Sequence, residues 1–497
     1  MSSGPLVLAI DLGMTSTKCA LFDKTGARIH ATTIQISYPL ITDRSGRAEI
    51  GTRELAVAFD QCIVQSIEAA RAFHGSKSFQ IAAVGISCFW HSLIGLDSKG
   101  NPLTEVITSA DSRCLEDAAR LRKRWKEKKI HHSTGCMVRT SYWPAKLAWL
   151  KRTDKELWKR AARWVSAGEW LFERWCGTGI CSPGMASGTG LFRSEELQWD
   201  TSLLKSLGVS KSKLNPVGET ICGIQPGRAI GFRELKNSKW IPALGEGAAS
   251  NLGSGVMSLD KMMLQIEASA TLQIMGKGII PKIPSPFGLF CYRVDPERYL
   301  QGGAISNAGN LRSWCFEQLR LPENPLDLEL EMAKRQVPNH GLLVSPLWIG
   351  ENASSMQERL PGMIIGLNPT TTALDIFQAT TEAVYCRIAR IAQKLQKIAP
   401  DSPQLIVSGS IRNSPSSLQR LADILGKALY PSSETESALR GAAVFALERI
   451  GYNVSPIPLG LPIQPDEQRT LRYRELMTAQ MRFEQRFLKE TKQNKSI

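Results

Sequence analysis

LVLAIDLGMTSTKCALFD, residues 6–23, reads as a strand, a tight polar turn and a returning strand. LVLAID (6–11) is apolar enough for a core strand, LGMTS turns, and TKCALFD (17–23) comes back. DKTG (23–26) turns again and sends ARIHATTIQ off as an expected third strand. Two later segments fix the class. TRELAVAFDQCIVQSIEAARAF (52–73) places apolar residues at three-to-four spacing, a helix packed on one face. FQIAAVGISCF (79–89) is nearly all apolar, as for a strand buried on both faces of a sheet.

The second half repeats this order. MMLQI (262–266) is a strand, EASAT (267–271) a turn of small residues, and LQIMGKG begins the next strand. Later come a strand in LIVSGS (405–410) and helices in SSLQRLADILGKAL (416–429) and SALRGAAVFALERIG (437–451). Two halves that each open strand–turn–strand imply a duplicated α/β domain. A chain of 497 residues accommodates two domains of about 200–250 residues each. The expected division is 1–244, 245–455 and a charged helical tail, 456–497. IPALGEGAASNLGSG (241–255) sits at the junction and offers one carboxylate, Glu246, between two glycines.

Composition narrows the function classes. The apolar fraction is 43% and the charged fraction 22%, as in ordinary globular proteins. No apolar run reaches the roughly 18–20 residues a bilayer span requires, and MSSGPLVLAIDLG lacks a basic segment followed by a cleavage site. Neither membrane association nor secretion is expected. The cysteines, from Cys19 to Cys386, form no CxxC pair, and Cys176 with Cys181 is a poor zinc signal. Reduced thiols packed as small hydrophobes fit the cytoplasm. The formal charge is +15, but the positives are spread along the chain. The densest run, RLRKRWKEKK (120–129), reads as a solvated helix face. With no nucleic-acid-binding signature, a nucleic-acid partner is not expected. A positive field also suits an enzyme with small anionic substrates.

Two turns could carry phosphate chemistry. In DLGMTSTK (11–18), backbone amides around Gly13 and hydroxyls of Thr15, Ser16 and Thr17 can meet phosphate oxygens. Lys18 would add positive charge, and Asp11 could hold a magnesium ion through water. The same residues also make an ordinary hairpin turn. Neither a GxxxxGK[ST] loop nor a GxGxxG turn opening a helix is present. In LIVSGSIRNSPSSLQRLADILG (405–426), Ser414 caps a helix whose start could accept an adenosine or phosphate group. A plainly capped helix is the alternative.

Taken in order, these segments resemble the FGGY family of carbohydrate kinases, from about Leu6 to Gly451. AIDLGMTSTKCALFD resembles its first phosphate motif and VGISCFWHSLIGLD (84–97) its substrate strand. STGCMVRTSYWPAKLAWLKR (133–152), ASGTGLFRSEELQWD (186–200), GGAISNAGNLRSW (302–314) and SALRGAAVFAL are similar to later family elements. The resemblance implies two duplicated ribonuclease H-like domains, of the actin/Hsp70/hexokinase type, with the active site in an interdomain cleft. It implies transfer of the ATP γ-phosphoryl group, with Mg2+, to a sugar hydroxyl. FWHSL, ASGTGL and GAISNAGN together look most like gluconate kinases, which would make D-gluconate the substrate and 6-phosphogluconate the product.

By the same resemblance Glu246 is the base, and Trp90, His91 and Tyr142 contact the sugar, with Trp143 beside them. An aromatic face suits a sugar's C–H surface. Asp111 and Arg113 match the family's AD.R segment; Arg113 could pair with a carboxylate substrate, or the two could form a structural ion pair. Ser269, Thr271, Gly309, Gly409 and Ser410 fall in the second phosphate turn, the glycine motif and the adenosine segment.

The chain also departs from the family. Glu246 stands where Asp is usual, and EASAT replaces a GTSG-type turn, setting Glu267 where glycine lets backbone approach phosphate. Ser410 replaces the second glycine of a pair, and Asn352 in GENASS (350–355) replaces an arginine. Two readings stay open: an active kinase for gluconate, a ketopentose or glycerol, and a kinase-derived sugar-binding or regulatory module. Whether the chain is a monomer or a homodimer is not legible.

Overall fold

The computed structural model describes residues 4–75, 78–280, 288–335, 337–348, 362–399 and 403–493. GENASS, with Asn352, lies outside the described residues. In chain order the elements that matter begin with β1 (Leu6–Leu12), β2 (Ser16–Phe22), β3 (Ile34–Ser37), α1 (Thr52–His74) and β4 (Ile81–Cys88). Then come α2 (Trp143–Thr153), β5 (Lys239–Trp240), β6 (Leu244–Gly245), α3 (Glu246–Gly253), β7 (Lys261–Ile266) and β8 (Ala270–Lys277). They continue with β9 (Phe290–Arg293), β10 (Arg298–Ile305), α4 (Gly309–Gln318), α5 (Pro325–Lys334) and α6 (Ala373–Gln396). The last are β11 (Gln404–Gly409), α7 (Pro415–Leu425), β12 (Leu429–Pro431), α8 (Ser437–Arg449) and α9 (Glu467–Gln493).

The chain forms two compact units, Met1–Met257 with Met275–Leu300 and Glu436–Pro456, and Ser258–Ile274 with Gln301–Thr435 and Ile457–Ile497. The units are not the contiguous blocks drawn from sequence. Helix α8 belongs with the first unit because it packs where side chains are missing. A Cβ on Gly85 of β4 would strike the backbone of Ala442, and one on Gly441 would strike that of Ala249 in α3. Glycine at these positions lets backbones approach closely.

In the first unit β1 pairs antiparallel with β2, from Val7↔Phe22 to Leu12↔Thr17. β1 is parallel to β4, with Asp11↔Ser87 and Leu12↔Cys88. β6 joins the other side of β4, with Leu244↔Ser87 and Gly245↔Cys88. The second unit repeats the scheme: β7 is antiparallel to β8 and parallel to β11, and β11 is parallel to β12. The hairpin-plus-parallel-strand plan is thus duplicated.

Local expectations fail at ends. Residues 30–32 form a 3-10 turn, which shortens the expected third strand to Ile34–Ser37. Gly426 (φ 60°) stops α7, so Leu429 begins β12 instead of ending a helix. The basic run 120–129 is broken at Trp125 and Lys126 between two helices, Leu115–Arg124 and Glu127–Thr134. Among the described residues no helix is long and apolar enough to cross a membrane.

Candidate active site

Strand register gathers the acids of the first unit. Asp11 and Leu244 flank Ser87 in one row, so the carboxyl ends of the parallel strands β1, β4 and β6 open on the same edge. Ligands of α/β sheets bind outside such ends. Asp11 is the last residue but one of β1, Trp90 and His91 follow β4 after Phe89, and Glu246 directly follows β6 as the first residue of α3.

The turn between β1 and β2 is tied down by its own backbone and by Tyr38. Gly13 N donates to Ser16 O (2.9 Å), Tyr38 Oη donates to Gly13 O (2.6 Å), and Tyr38 N donates to Thr15 O (3.0 Å). Thr15 is exposed and Ser16 half-buried, so hydroxyls of this turn reach the surface. Lys18 is not an open cation: its Nζ lies 2.6 Å from Glu436 Oε2. Asp11 Oδ1 is buried and has no hydrogen-bond partner among the described residues. Burial pushes its pKa up to about 6, with Ser87 and Lys18 pulling back and Glu436 adding to the rise.

Trp90 is wedged between glycines. A Cβ on Gly188 would lie 2.6 Å from its Cδ1, and one on Gly245 would collide with the ring. Its Nε1 donates to Gly184 O at 3.0 Å. Beside it, His91 adopts φ 69°, unusual for a residue with a Cβ. Lys146 of α2, fully buried, donates from Nζ to His91 O at 2.6 Å and so fixes this turn. His91 Nδ1 is 2.5 Å from Gly188 O. Desolvation holds the imidazole pKa down at about 4, with Lys146 lowering it further and the Gly188 carbonyl opposing. A neutral ring that donates from Nδ1 to a carbonyl presents Nε2 as an acceptor.

Tyr142 stands edge-on to His91 (4.8 Å between centroids), and its hydroxyl is 2.7 Å from that of Tyr292. Tyr292, on β9, meets Trp90 edge-on at 4.9 Å. Trp143 is buried behind this cluster, its Nε1 donating to Ser92 O. Trp90, His91 and Tyr142 are therefore brought together. Asp111 and Arg113 are elsewhere occupied. Asp111 is buried and accepts from Ala48 N (3.0 Å), while Arg113 Nη2 bonds Asp111 Oδ2 (2.6 Å) and also Glu49. The guanidinium stacks 4.4 Å over Trp149. The reading of Arg113 as partner to a substrate carboxylate gives way to this structural ion-pair cluster.

In the second unit the turn Glu267–Ser269 is exposed and closed by Glu267 N donating to Ser269 O (2.8 Å). Thr271 lies in β8 opposite Gln265. Gly309 N donates to Glu267 O (2.9 Å), and a Cβ on Gly309 would strike that same carbonyl. Gly409 (φ 91°) passes so close that its Cβ would sit 3.0 Å from Glu267 Oε1. Ser410 is exposed, its Oγ 3.4 Å from Ile266 O. Gly309, Ser410 and Ser414 line a cavity of about 300 Å³, together with Arg312, Thr380 and Tyr385. Thr380 Oγ1 is buried there without a hydrogen-bond partner among the described residues.

Ser414 does cap α7, but the helix start is filled from within the unit. Glu329 of α5 accepts from Ser416 N (2.5 Å) and from Ser414 Oγ (2.7 Å). A carboxylate on the first amides takes the place expected for a phosphate. The cavity thus offers an apolar and hydroxyl-lined wall, not a free helix N-terminus.

Residues 6–226 match the FGGY family of carbohydrate kinases, N-terminal domain, and residues 268–448 match its C-terminal domain. The chain belongs to the FGGY family of carbohydrate kinases. Its similarity to a gluconokinase of Bacillus subtilis is 25% identity over 90% of this chain and 88% of the relative. To a xylulose kinase of Staphylococcus xylosus it is 23%, covering 88% of this chain and 90% of the relative. The crystal structure of gluconate kinase from Lactobacillus acidophilus superposes with TM-score 0.87 at 23% identity, covering 98% of this chain and 99% of that one. This FGGY kinase therefore has the duplicated ribonuclease H-like fold, and it is a member of a family that uses ATP.

Three participants escaped the sequence reading of this FGGY kinase. Tyr292 carries no local signal, since it reaches Trp90 and Tyr142 only through tertiary packing. Lys146 lay inside a quoted segment, yet only burial shows that it holds His91. Glu436, the partner of Lys18, precedes α8 by one residue and is 418 residues from the lysine.

Proposed function

We propose that this FGGY kinase phosphorylates D-gluconate at the expense of ATP, giving 6-phosphogluconate and ADP. The observation that carries the reading is Glu246 at the start of α3, next to the glycine on which Trp90 is seated. An aromatic and imidazole wall beside a half-buried carboxylate is what a sugar hydroxyl needs: C–H packing, a hydrogen-bond acceptor and a base. Relatives named gluconokinase from two Bacillus species support the choice of substrate.

In the step proposed, Glu246 takes the proton of the attacking hydroxyl as the sugar oxygen bonds to the γ-phosphorus. The bond from that phosphorus to the β–γ bridging oxygen breaks, and ADP leaves with the electron pair. His91, neutral near pH 7, accepts a hydrogen bond from a sugar hydroxyl at Nε2, and Tyr142 and Tyr292 set the wall of the sugar site. Hydroxyls of Thr15 and Ser16 meet phosphate oxygens, while the Gly13 amide is spent inside the turn on Ser16 O. Asp11 would hold Mg2+, directly or through water: a carboxyl group near a strand end, one oxygen of which is buried with no hydrogen-bond partner among the described residues, fits a cation. Bound there, the ion would neutralise phosphate charge. The cavity lined by Gly309, Ser410 and Thr380 would take the nucleoside.

A substrate panel tests this. Purified protein with magnesium-ATP should release ADP with gluconate at a higher kcat/KM than with xylulose, ribulose or glycerol. Preference for a ketopentose or glycerol would overturn the gluconate assignment; sugar binding with no ADP release from any of them would overturn the kinase reading.

A further inference from the structure

Helix α9 lies beyond residue 448, where the family's C-terminal domain match ends. It is firmly seated all the same. Tyr473 is fully buried and donates to Glu382 Oε1 at 2.9 Å, and Gln480 exchanges hydrogen bonds with the backbone of Val344. Between α9, α6 and the end of α7 this docking leaves a cavity of about 360 Å³. That volume lies within the roughly 300–1,000 Å³ of small-molecule sites.

Its lining is strongly cationic. Arg387 and Arg390 come from α6, Lys427 follows α7, and Arg474 comes from α9, against one lining carboxylate among the described residues, Glu484. Glu484 Oε2 accepts from both Arg387 Nη1 (3.1 Å) and Arg390 Nη1 (2.7 Å). Thr470 also lines the cavity, and its Oγ1 is buried with no hydrogen-bond partner among the described residues. With Glu484 as their one lining counter-charge among the described residues, these four cations leave the lining net positive, and an anion bound there would offset that charge. Guanidinium forks, an ammonium and a hydroxyl are the donors a phosphate group uses.

We propose that this cavity is a binding site for a small soluble phosphate-bearing anion, a phosphate ester or pyrophosphate, separate from the nucleotide cavity. It is built by a helix outside the family's matched domains. The same α6 that supplies Arg387 and Arg390 also supplies Thr380 and Tyr385 to the nucleotide cavity, so the two sites share one wall.

The test is calorimetric titration of the full-length protein with inorganic pyrophosphate. Wild type should bind it, and the double variant Lys427→Glu/Arg474→Glu should lose one site or weaken it at least tenfold. Lys427→Gln/Arg474→Gln should show a smaller loss in the same direction. Lys155→Glu/Lys159→Glu, which changes net charge equally at an exposed helix, should bind as wild type does. No binding to wild type, an unaffected cavity variant, or equal weakening in the control pair would each overturn the proposal. Thermal unfolding checks that the variants are folded, and the neutral pair keeps the test decisive should the charge-reversed pair unfold. Binding to phosphatidylserine vesicles that depends on Lys427 and Arg474 would overturn the assignment to a soluble ligand.

Discussion

The indole of Trp90 occupies the space that a side chain on residue 245 would need. A residue of the proposed sugar wall is thereby locked to the residue preceding the proposed base. Gly245→Ala puts a methyl group into the body of a ring held by Gly188 on its other side and by the Gly184 carbonyl at its edge. Overpacking of this kind costs about 1–3 kcal/mol. A lowered Tm together with a fall in kcat/KM for the sugar is expected. A variant with unchanged kcat/KM would show that Trp90 does not set the position of Glu246.

Glu246→Gln keeps the shape of the side chain and removes its basicity. We expect kcat to fall by roughly 10²–10⁴, the usual contribution of a positioned acid or base, with gluconate affinity within about twofold of wild type by calorimetry. Glu246→Asp asks a different question, because it shortens the reach by about 1.5 Å. If this backbone is adapted to the longer acid, kcat drops about a hundredfold. Full activity in the Gln variant would mean that another group takes the proton.

Acid should destabilise the protein through His91. Its folded pKa is held at about 4, below the ordinary value of 6.5. The unfolded chain therefore binds more protons between those values, and stability present above pH 6.5 is lost as pH falls toward 4. The effect is at most about 3 kcal/mol, reduced by the partial exposure of the residue. His91→Asn tolerates the left-handed backbone and does not titrate. Urea unfolding at pH 7 and pH 4.5 should show a smaller acid loss in the variant than in wild type; equal losses would place the titration elsewhere.

How much of the fold and site is legible in the sequence depends on the range of the interactions. The strand–turn–strand openings at 6–22 and 261–277 are local, written in apolar runs and small polar turns, and the structure has both. Trp90 and His91 are legible because they come directly after a strand of unmistakable burial. The fate of charged groups is not legible. Lys18 and the start of α7 look available in the sequence, and Arg113 has its ion pair with Asp111 there only as one of two readings; each meets a carboxylate, from Glu436, from Glu329, and from Glu49 with Asp111. Those carboxylates are 418, 87 and 64 residues from the groups they meet, with Asp111 the one local exception. No periodicity or turn signal spans such separations.

Glu267 is the remaining charge whose consequence for ATP can be measured. It sits in an exposed turn, with Oε1 3.0 Å from where a Cβ on Gly409 would lie, and Gly309 is held against its carbonyl. A phosphate approaching this turn meets the carboxylate through water, where two unit charges about 4 Å apart repel by about 1 kcal/mol. Glu267→Gln removes that repulsion and leaves the turn's backbone bonds intact. KM for ATP should then fall roughly fivefold at low salt, with kcat unchanged, and the gain should shrink as ionic strength rises. A rise in KM would give the opposite assignment: the carboxylate would then be helping to hold the metal–nucleotide complex, and the departure from glycine would be a gain of contact.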